Sequence, residues 1–152
     1  MYRSEGMGLA APQIGKSIRI FVIDGTPIAE DEPELEGFRK VFINARIVEK
    51  DGEILPMSEG CLTIPHLREE VNRENRIRIT YYDENWEFHD EVYEGYRARI
   101  IQHEYDHLDG ILFTDKLNPL RRRLIKSKLN AISKGRFEAD YKTILPGQKI
   151  RE

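Results

Sequence analysis

The sequence lacks long hydrophobic runs and has very little cysteine. Its 152 residues contain no apolar stretch near the roughly 18 residues that a membrane span requires. The first residues also lack the basic start and apolar segment of a secretory signal. The single cysteine, Cys61, excludes an internal disulfide framework. These absences predict a cytoplasmic protein with no membrane partner, and the length predicts one domain over residues 1–152.

Charged residues are unevenly distributed along the chain. The formal net charge is only -3, but residues 115–136 hold eight basic residues against one acidic residue, Asp115, a local charge of +7. The basic residues are Lys116, Arg121, Arg122, Arg123, Lys126, Lys128, Lys134 and Arg136. Most basic helix faces are merely solvated, but this asymmetry is also what binding to phosphate groups requires.

Residue patterns predict several antiparallel strands. Segments rich in β-branched and aromatic residues occur at 18–24, 41–49, 53–57, 76–82 and 86–93. Turn signals at 50–52, which include Gly52, and at 83–85 predict that the flanking segments form two hairpins. The acidic stretch 26–40 between strands is predicted to be a solvated surface loop.

Two helices are predicted after the strands. The first covers about residues 94–108, ends at Asp109-Gly110, and has an apolar and histidine-bearing face. The second begins with Asn118 as N-cap and Pro119 as first helical residue, and it continues to about residue 133. Strands followed by helices indicate an α+β fold, with antiparallel sheet around the first helix and a C-terminal helix beyond it.

The first helix contains the segment His-Glu-Tyr-Asp-His. His103 and His107 lie four residues apart, so their imidazoles project from one helix face and can bind one metal ion. Glu104 lies about 100° further around the helix, which suits a base acting on metal-bound water. A five-residue pattern also arises by chance, but Ile100 and Ile101 indicate a buried helix, and buried imidazoles need partners.

A hydrolytic metal site needs a third protein ligand. Metzincin proteases supply it from a downstream histidine, but this chain has Phe113 at that position. Cys61, in the upstream segment Glu59–Pro65, is the remaining candidate, although a lone cysteine is more often a packed core thiol. One cysteine and two histidines disfavour magnesium and calcium, which prefer oxygen ligands. A zincin-like endoprotease remains an alternative hypothesis.

A third segment, Gly6-Met7-Gly8-Leu9-Ala10-Ala11-Pro12-Gln13, is rich in small residues. Small residues allow close approach of backbone or substrate, and the Gln13 amide is able to donate to a developing oxyanion. Small residues also mark ordinary tight packing, so this segment alone carries little weight.

Together and in this order, GMGLAAPQ, EGCLTIP and HEYDH resemble the motifs of the peptide deformylase family. The resemblance implies hydrolysis of the N-formyl group from the formyl-methionine of nascent polypeptides. It implies that Cys61, His103 and His107 hold Fe²⁺, replaceable by Ni²⁺, Co²⁺ or Zn²⁺. It further implies Glu104 as general base, with the oxyanion received by Gln13 and the backbone N–H of Leu62.

The resemblance also implies a substrate site and a partner. Candidate substrate-binding residues are Gly8, which would pair with the peptide backbone, and Met7, Gly60, Tyr96, Ile100 and Arg68. The basic helix 118–134 is similar to a helix with which bacterial deformylases contact the ribosome, and no DNA partner is expected. A non-enzymatic ribosome-associated module is a third hypothesis.

The chain departs from the family pattern at its start. The family has a strand and a helix before the first motif, whereas Gly6 is reached almost at once, so those elements are expected to be missing. No role is assigned to the acidic loop 26–40 or to the tail 137–152.

Overall fold

A computed structural model describes residues 6–145 of the chain. Five strands and two α-helices follow one another in it: β1 (Gly8–Ala10), β2 (Ile20–Asp24), β3 (Arg39–Cys61), β4 (Ile64–Tyr82), β5 (Phe88–Glu94), α1 (Gly95–Leu108) and α2 (Pro119–Ser133). Across this described part, neither helix is long and apolar enough to cross a membrane.

The strands form one antiparallel sheet in the order β1-β2-β3-β4-β5. Each strand therefore pairs with its neighbour in sequence. Antiparallel neighbours of this kind can be joined by hairpins and loops, without crossover connections. The prediction of an α+β fold with antiparallel sheet and two late helices is confirmed. The 83–85 turn is confirmed as well, since Tyr82 pairs with Phe88 across it.

The predicted hairpin at residues 50–52 is wrong. β3 runs through this segment without reversing, and Asp51 pairs with Arg76 of β4. Gly52 does have a positive φ of 79°, but it lies at a bulge between the pairs formed by Asp51 and Ile54. A bulge and a tight turn both use left-handed glycine, so the same residue satisfies either. The chain instead reverses between Cys61 and Ile64.

The larger of two hydrophobic clusters lies between the sheet and α1. Strand residues of alternating positions, such as Phe21 and Ile23, or Ile77 and Ile79, are buried against Ile101 of the helix. This alternation is the period-two pattern of a strand with one buried face. Because the helix lies on the sheet, its polar residues are enclosed together with its apolar ones.

The acidic stretch 26–40 is not merely a solvated loop. It contains two short 3-10 turns, and Leu35 and Phe38 are buried in the larger cluster. The Glu34 carboxylate accepts a hydrogen bond from the backbone N–H of Tyr96, at 2.9 Å, in the first turn of α1. The loop therefore caps the helix that carries the two motif histidines.

α2 begins as predicted, with the Asn118 side chain accepting a hydrogen bond from the N–H of Arg121 at 2.8 Å. Its Ile125 joins Val71 and Phe113 in the smaller hydrophobic cluster. Leu120 and Leu124 of this helix are 71% and 65% exposed. α2 therefore lies on the protein surface and contacts the rest of the molecule along one narrow face.

Candidate metal centre

Three candidate ligands meet where the end of β3 faces α1. Cys61 is the last residue of β3, while His103 and His107 lie one turn apart on α1. One donor atom from each residue lies within 4.8 Å of the others. The Cys61 Sγ atom is 3.3 Å from Nε2 of His107. The structure thus brings together one sulfur and two nitrogen donors that are distant in sequence.

The ring of His103 is oriented by Glu59, which the sequence analysis did not identify. Its Nδ1 lies 2.9 Å from a Glu59 carboxylate oxygen, so Nε2 is the nitrogen left for a metal. Glu59 also accepts two hydrogen bonds from Arg73 and one from Arg99. Burial alone would raise the pKa of Glu59, but these donors hold it well below its usual value. The one sequence signal for a role of Glu59 near the metal site was its position two residues before Cys61.

Arg73 connects this carboxylate to a second one on α1. It is buried and donates to Asp106 at 2.7 Å as well as to Glu59. Lys116 lies 3.3 Å from the same Asp106 oxygen. Buried charges need partners of opposite charge. These ion pairs provide them, and they connect β3, β4 and α1 next to the candidate ligands.

Cys61 is an ionised thiol in this environment. Burial raises its pKa, but hydrogen bonds from His103 and His107 outweigh burial and lower the pKa to about 5. For His103, burial lowers the pKa, while Cys61 and Glu59 raise it to about 10. The thiolate form is the one that binds metals, and a bound cation would displace the imidazole proton.

Glu104 is buried beside the three ligands. Among residues 6–145, its Oε2 atom has no hydrogen-bond partner. Burial raises its pKa to about 7, against the opposing effect of the two histidines. A side chain on Gly8 would meet the Glu104 carboxyl group at 2.4 Å, so a larger residue at this position would displace that carboxyl group. A carboxylate aimed into a site and left without a partner suits proton transfer.

The side chain of Gln13 also contacts Cys61. Its Oε1 accepts from the N–H of Ala10 at 2.7 Å, which directs Nε2 toward Cys61 Sγ, at 3.5 Å, and Thr63 Oγ1, at 3.0 Å. The N–H of Thr63 also donates to Cys61 Sγ at 3.4 Å. Several donors are therefore preorganised around the thiolate.

A pocket of about 670 Å³, part of which is open to solvent, lies over these residues. It is lined by most residues that the sequence analysis selected, namely Met7, Gly8, Gln13, Gly60, Cys61, Leu62, Arg68, Tyr96, Ile100, His103 and Glu104. His107 lies below it and is buried. Arg68 is exposed at the rim, where it donates to the side chain and carbonyl of Ser58.

Phe113 occupies the place at which a metzincin would have its third histidine. It is 1% exposed and its ring is stacked near His103, with 6.2 Å between ring centroids. The aromatic side chain packs beside His103, which is one of the candidate ligands. The position that would supply a downstream third ligand is therefore occupied by a residue of the hydrophobic core.

The residues fit a bound metal ion. The thiolate and imidazole donors converge, an outer carboxylate orients one imidazole, and the Oε2 atom of Glu104 has no hydrogen-bond partner in the described part of the chain. This set suits iron, zinc or a similar transition metal and leaves coordination open for water or substrate. Such an arrangement on an α+β fold defines a metal-dependent hydrolase.

Comparisons with known proteins specify this class further. Residues 1–123 match the sequence model of the polypeptide deformylase family. The chain is 54% identical to a peptide deformylase of Christiangramia forsetii, covering 98% of this chain and 80% of that protein. It is 48% identical to the Flavobacterium johnsoniae enzyme, covering 93% and 76%. The chain belongs to the polypeptide deformylase family.

Solved structures agree with this assignment. A peptide deformylase from Plasmodium falciparum matches with a TM-score of 0.78 and 38% identity, covering 89% of this chain and 76% of that one. One from Synechococcus elongatus, in complex with actinonin, matches with a TM-score of 0.71 and 38% identity, covering 84% and 66%. Family membership implies a metalloenzyme that hydrolyses an amide and removes the N-formyl group from nascent peptides.

Proposed function

We propose that this chain hydrolyses the formyl group of N-formyl-methionyl nascent peptides and releases formate, with Fe²⁺ held by Cys61, His103 and His107. The observation that carries the proposal is the convergence of these three donors beside Glu104, whose Oε2 atom has no hydrogen-bond partner within residues 6–145. Cys61, His103 and Glu104 line the same pocket, and His107 is buried next to Cys61. Ni²⁺, Co²⁺ and Zn²⁺ suit the same donors. Because the substrate is a nascent chain, the proposed location is the cytoplasm.

When bound, the metal supplies the positive charge that lowers the pKa of water and polarises the formyl carbonyl. Glu104 takes the proton from the attacking water at Oε2 and returns it to the leaving amine nitrogen. Burial raises the pKa of this carboxyl group above the usual value for glutamate, which strengthens it as a proton acceptor. The Glu104 carboxyl group is buried beside Gly8.

Gln13 and Leu62 stabilise the developing oxyanion. The Gln13 amide oxygen is held by Ala10, so its NH₂ group is directed into the site. Leu62 lines the same pocket, and its backbone N–H is the proposed second donor. Fixed donors of this kind stabilise charge that appears only in the transition state.

The remaining pocket residues bind the substrate. Met7, Gly60, Tyr96 and Ile100 line the pocket and are proposed to receive the methionine side chain. Gly8 belongs to β1, which pairs with β2 on one side and ends the sheet on the other. An extended peptide can add to such an edge by backbone hydrogen bonds. Arg68 at the rim is proposed to contact the peptide beyond methionine.

The basic helix is proposed to contact ribosomal phosphates. Four of the basic residues in segment 115–136 already have partners: Lys116, Arg121, Arg122 and Lys128. The other four, Arg123, Lys126, Lys134 and Arg136, line one surface depression, and none has an ion-pair partner within residues 6–145. These four residues are here termed the basic patch. We propose that the contact with ribosomal phosphates is made by these four residues and not by all eight basic residues of the segment.

Formate release from a formyl-methionyl peptide tests the activity. Iron-loaded protein kept free of oxygen should release formate and should not cleave unformylated protein substrates. A Glu104→Ala variant loaded in the same way is the control. Wild-type turnover no faster than that of this variant would contradict the proposal.

Metal content tests the ligand set separately. Cys61→Ala should lose most of the metal retained by the wild type after purification without oxygen, because one of three protein ligands is gone. Retention of one equivalent in Cys61→Ala would instead favour a zincin-like site without a cysteine ligand.

Cosedimentation with ribosomes tests the basic patch. Replacement of Lys126 and Lys134 by glutamate should weaken binding at least about tenfold and reduce its salt dependence. The matched control is Lys50→Glu with Lys142→Glu, which makes the same charge change outside the patch. Equal losses in both proteins would show a general charge effect and exclude a specific contact.

A further inference from the structure

The chain returns to the candidate metal centre after α2 ends. Gly135, with a φ of 74°, turns the backbone, and the carbonyl of Glu138 then lies 2.8 Å from Nε2 of His66. Further on, the hydroxyl group of Tyr141 donates to the carbonyl of Leu62 at 2.6 Å. The segment 137–145, which the sequence analysis left without a role, therefore crosses the turn between β3 and β4.

The carbonyl that Tyr141 holds belongs to the peptide unit joining Leu62 to Thr63. The N–H of this same unit donates to Cys61 Sγ. In a planar trans peptide, the C=O and N–H bonds point in opposite directions. A hydroxyl group that fixes the carbonyl from outside therefore also fixes the N–H that points inward at the thiolate.

The same turn is connected to Gln13. The Thr63 hydroxyl oxygen accepts a hydrogen bond from Gln13 Nε2 at 3.0 Å, beside the 3.5 Å contact of that nitrogen with Cys61 Sγ. Rotation of the 62–63 peptide would disturb both the N–H donor to the thiolate and the acceptor that orients the amide. Among residues 6–145, the one side-chain hydrogen bond to the Leu62 carbonyl comes from Tyr141.

We propose that Tyr141 is a positioning residue for the deformylation reaction, which clamps the 62–63 peptide so that Thr63 donates to Cys61 and Gln13 stays directed into the site. This inference rests on the proposed function for its effect on turnover. Its structural part, the orientation of the peptide unit, does not depend on the reaction. Outer residues that orient metal ligands typically contribute 10–100-fold to metal affinity or activity.

The Tyr141→Phe variant removes the hydroxyl group alone. The ring remains, and the segment keeps its contact with His66 and the bond from the N–H of Arg136 to the carbonyl of Ala131. The matched control is Tyr82→Phe, which removes one hydroxyl group from a partly exposed tyrosine on β4 outside the pocket. Comparison of the two variants separates the clamp from any general effect of losing a tyrosine hydroxyl.

Three measurements on the full chain test the clamp. In Tyr141→Phe, amide hydrogen exchange of Thr63 should accelerate at least about tenfold. The thiolate-to-metal absorption band of Co²⁺-loaded protein should move to longer wavelength, since loss of an N–H donor raises the energy of the sulfur lone pairs. The kcat for formate release should fall about tenfold with KM changed less than about twofold. Tyr82→Phe should match the wild type in all three.

The proposal is overturned if either the Thr63 exchange rate or the cobalt band of Tyr141→Phe equals that of the wild type, whatever happens to kcat. If the wild type itself releases no formate, the proposed function fails. The exchange rate and the absorption band still decide the clamp in that case, so the two failures are distinguishable.

Discussion

The two helices have nearly the same length but opposite relations to the rest of the molecule. α1 has 14 residues, eight of them buried, and these include Arg99, Glu104 and Asp106. α2 has 15 residues, and in the described part of the chain Ile125 is its one buried residue. Charged groups on α1 therefore require built partners, whereas those on α2 are mostly hydrated. The helix that is proposed to carry the catalytic and metal-binding residues depends on its surroundings far more than the helix that carries part of the basic patch.

The helix N-termini differ in the same way. α2 is capped by Asn118, the residue directly before it, which accepts a hydrogen bond from the N–H of Arg121 three residues later. α1 has no cap from its own preceding residue, and Glu34 supplies the acceptor from 62 residues away. Local sequence is enough to start α2, while α1 is completed only by tertiary structure.

The largest predicted effect concerns Glu104 of α1, whose Oε2 atom has no hydrogen-bond partner among the described residues. Glu104→Gln should lower the rate of formate release by about 10³-fold, equivalent to about 4 kcal/mol of barrier, because an amide cannot accept and return the proton. Metal content should stay at the wild-type level. Glu84→Gln, in an exposed turn, is the control and should leave the rate unchanged. A rate loss below about tenfold would assign the base role elsewhere.

The next effect concerns the buried ion pairs beneath α1. Arg73→Met should lower the free energy of unfolding by about 3 kcal/mol, since it leaves Glu59 and Asp106 with fewer partners in a buried site. Urea denaturation measures it. Arg78→Met removes an arginine that also bridges two carboxylates, but at an exposed position, and it should have little effect. Equal losses of unfolding free energy in the two variants would contradict the prediction that the buried ion pairs stabilise the fold more than the exposed ones.

A smaller effect is expected for the apolar contact of α2. Ile125→Ala should lower the free energy of unfolding by about 2 kcal/mol, because it leaves a cavity against Val71 and Phe113. The neighbouring Leu124→Ala, at a position 65% exposed, should change stability by less than about 0.5 kcal/mol. A comparable loss from Leu124→Ala would show that this side chain is covered in solution.

The smallest effect concerns the local cap. Asn118→Ala should lower the free energy of unfolding by about 1 kcal/mol, because the N–H of Arg121 loses its acceptor. Asn130→Ala, at an exposed position inside α2, should be neutral or slightly stabilising because alanine favours helix. Thermal unfolding of both variants checks the difference, and a destabilising Asn130→Ala would argue against a capping effect.

Much of the secondary structure could be predicted because its signals are local. The start of α2 follows from Asn118-Pro119 and the end of α1 from Asp109-Gly110. Residue patterns also indicated β2, parts of β3 and β4, and β5, but they missed β1 and residues 64–75 of β4. The failure at Gly52 has a local cause as well, since left-handed glycine serves a bulge and a turn equally. Pairing partners decide between the two, and in the pairs that flank Gly52 they lie 25 and 20 residues away, as Asp51 with Arg76 and Ile54 with Glu74.

The sequence by itself determined which residues are able to bind a metal and transfer a proton: two histidines one turn apart, a glutamate beside them and a single cysteine. Helical geometry places the histidines together without further help. Only the tertiary structure decided that Cys61 reaches them, that Glu59 orients His103, and that Tyr141 holds the Leu62 carbonyl. These contacts join separate elements, and the directions of such side chains follow from packing of the sheet against α1, which no local pattern encodes.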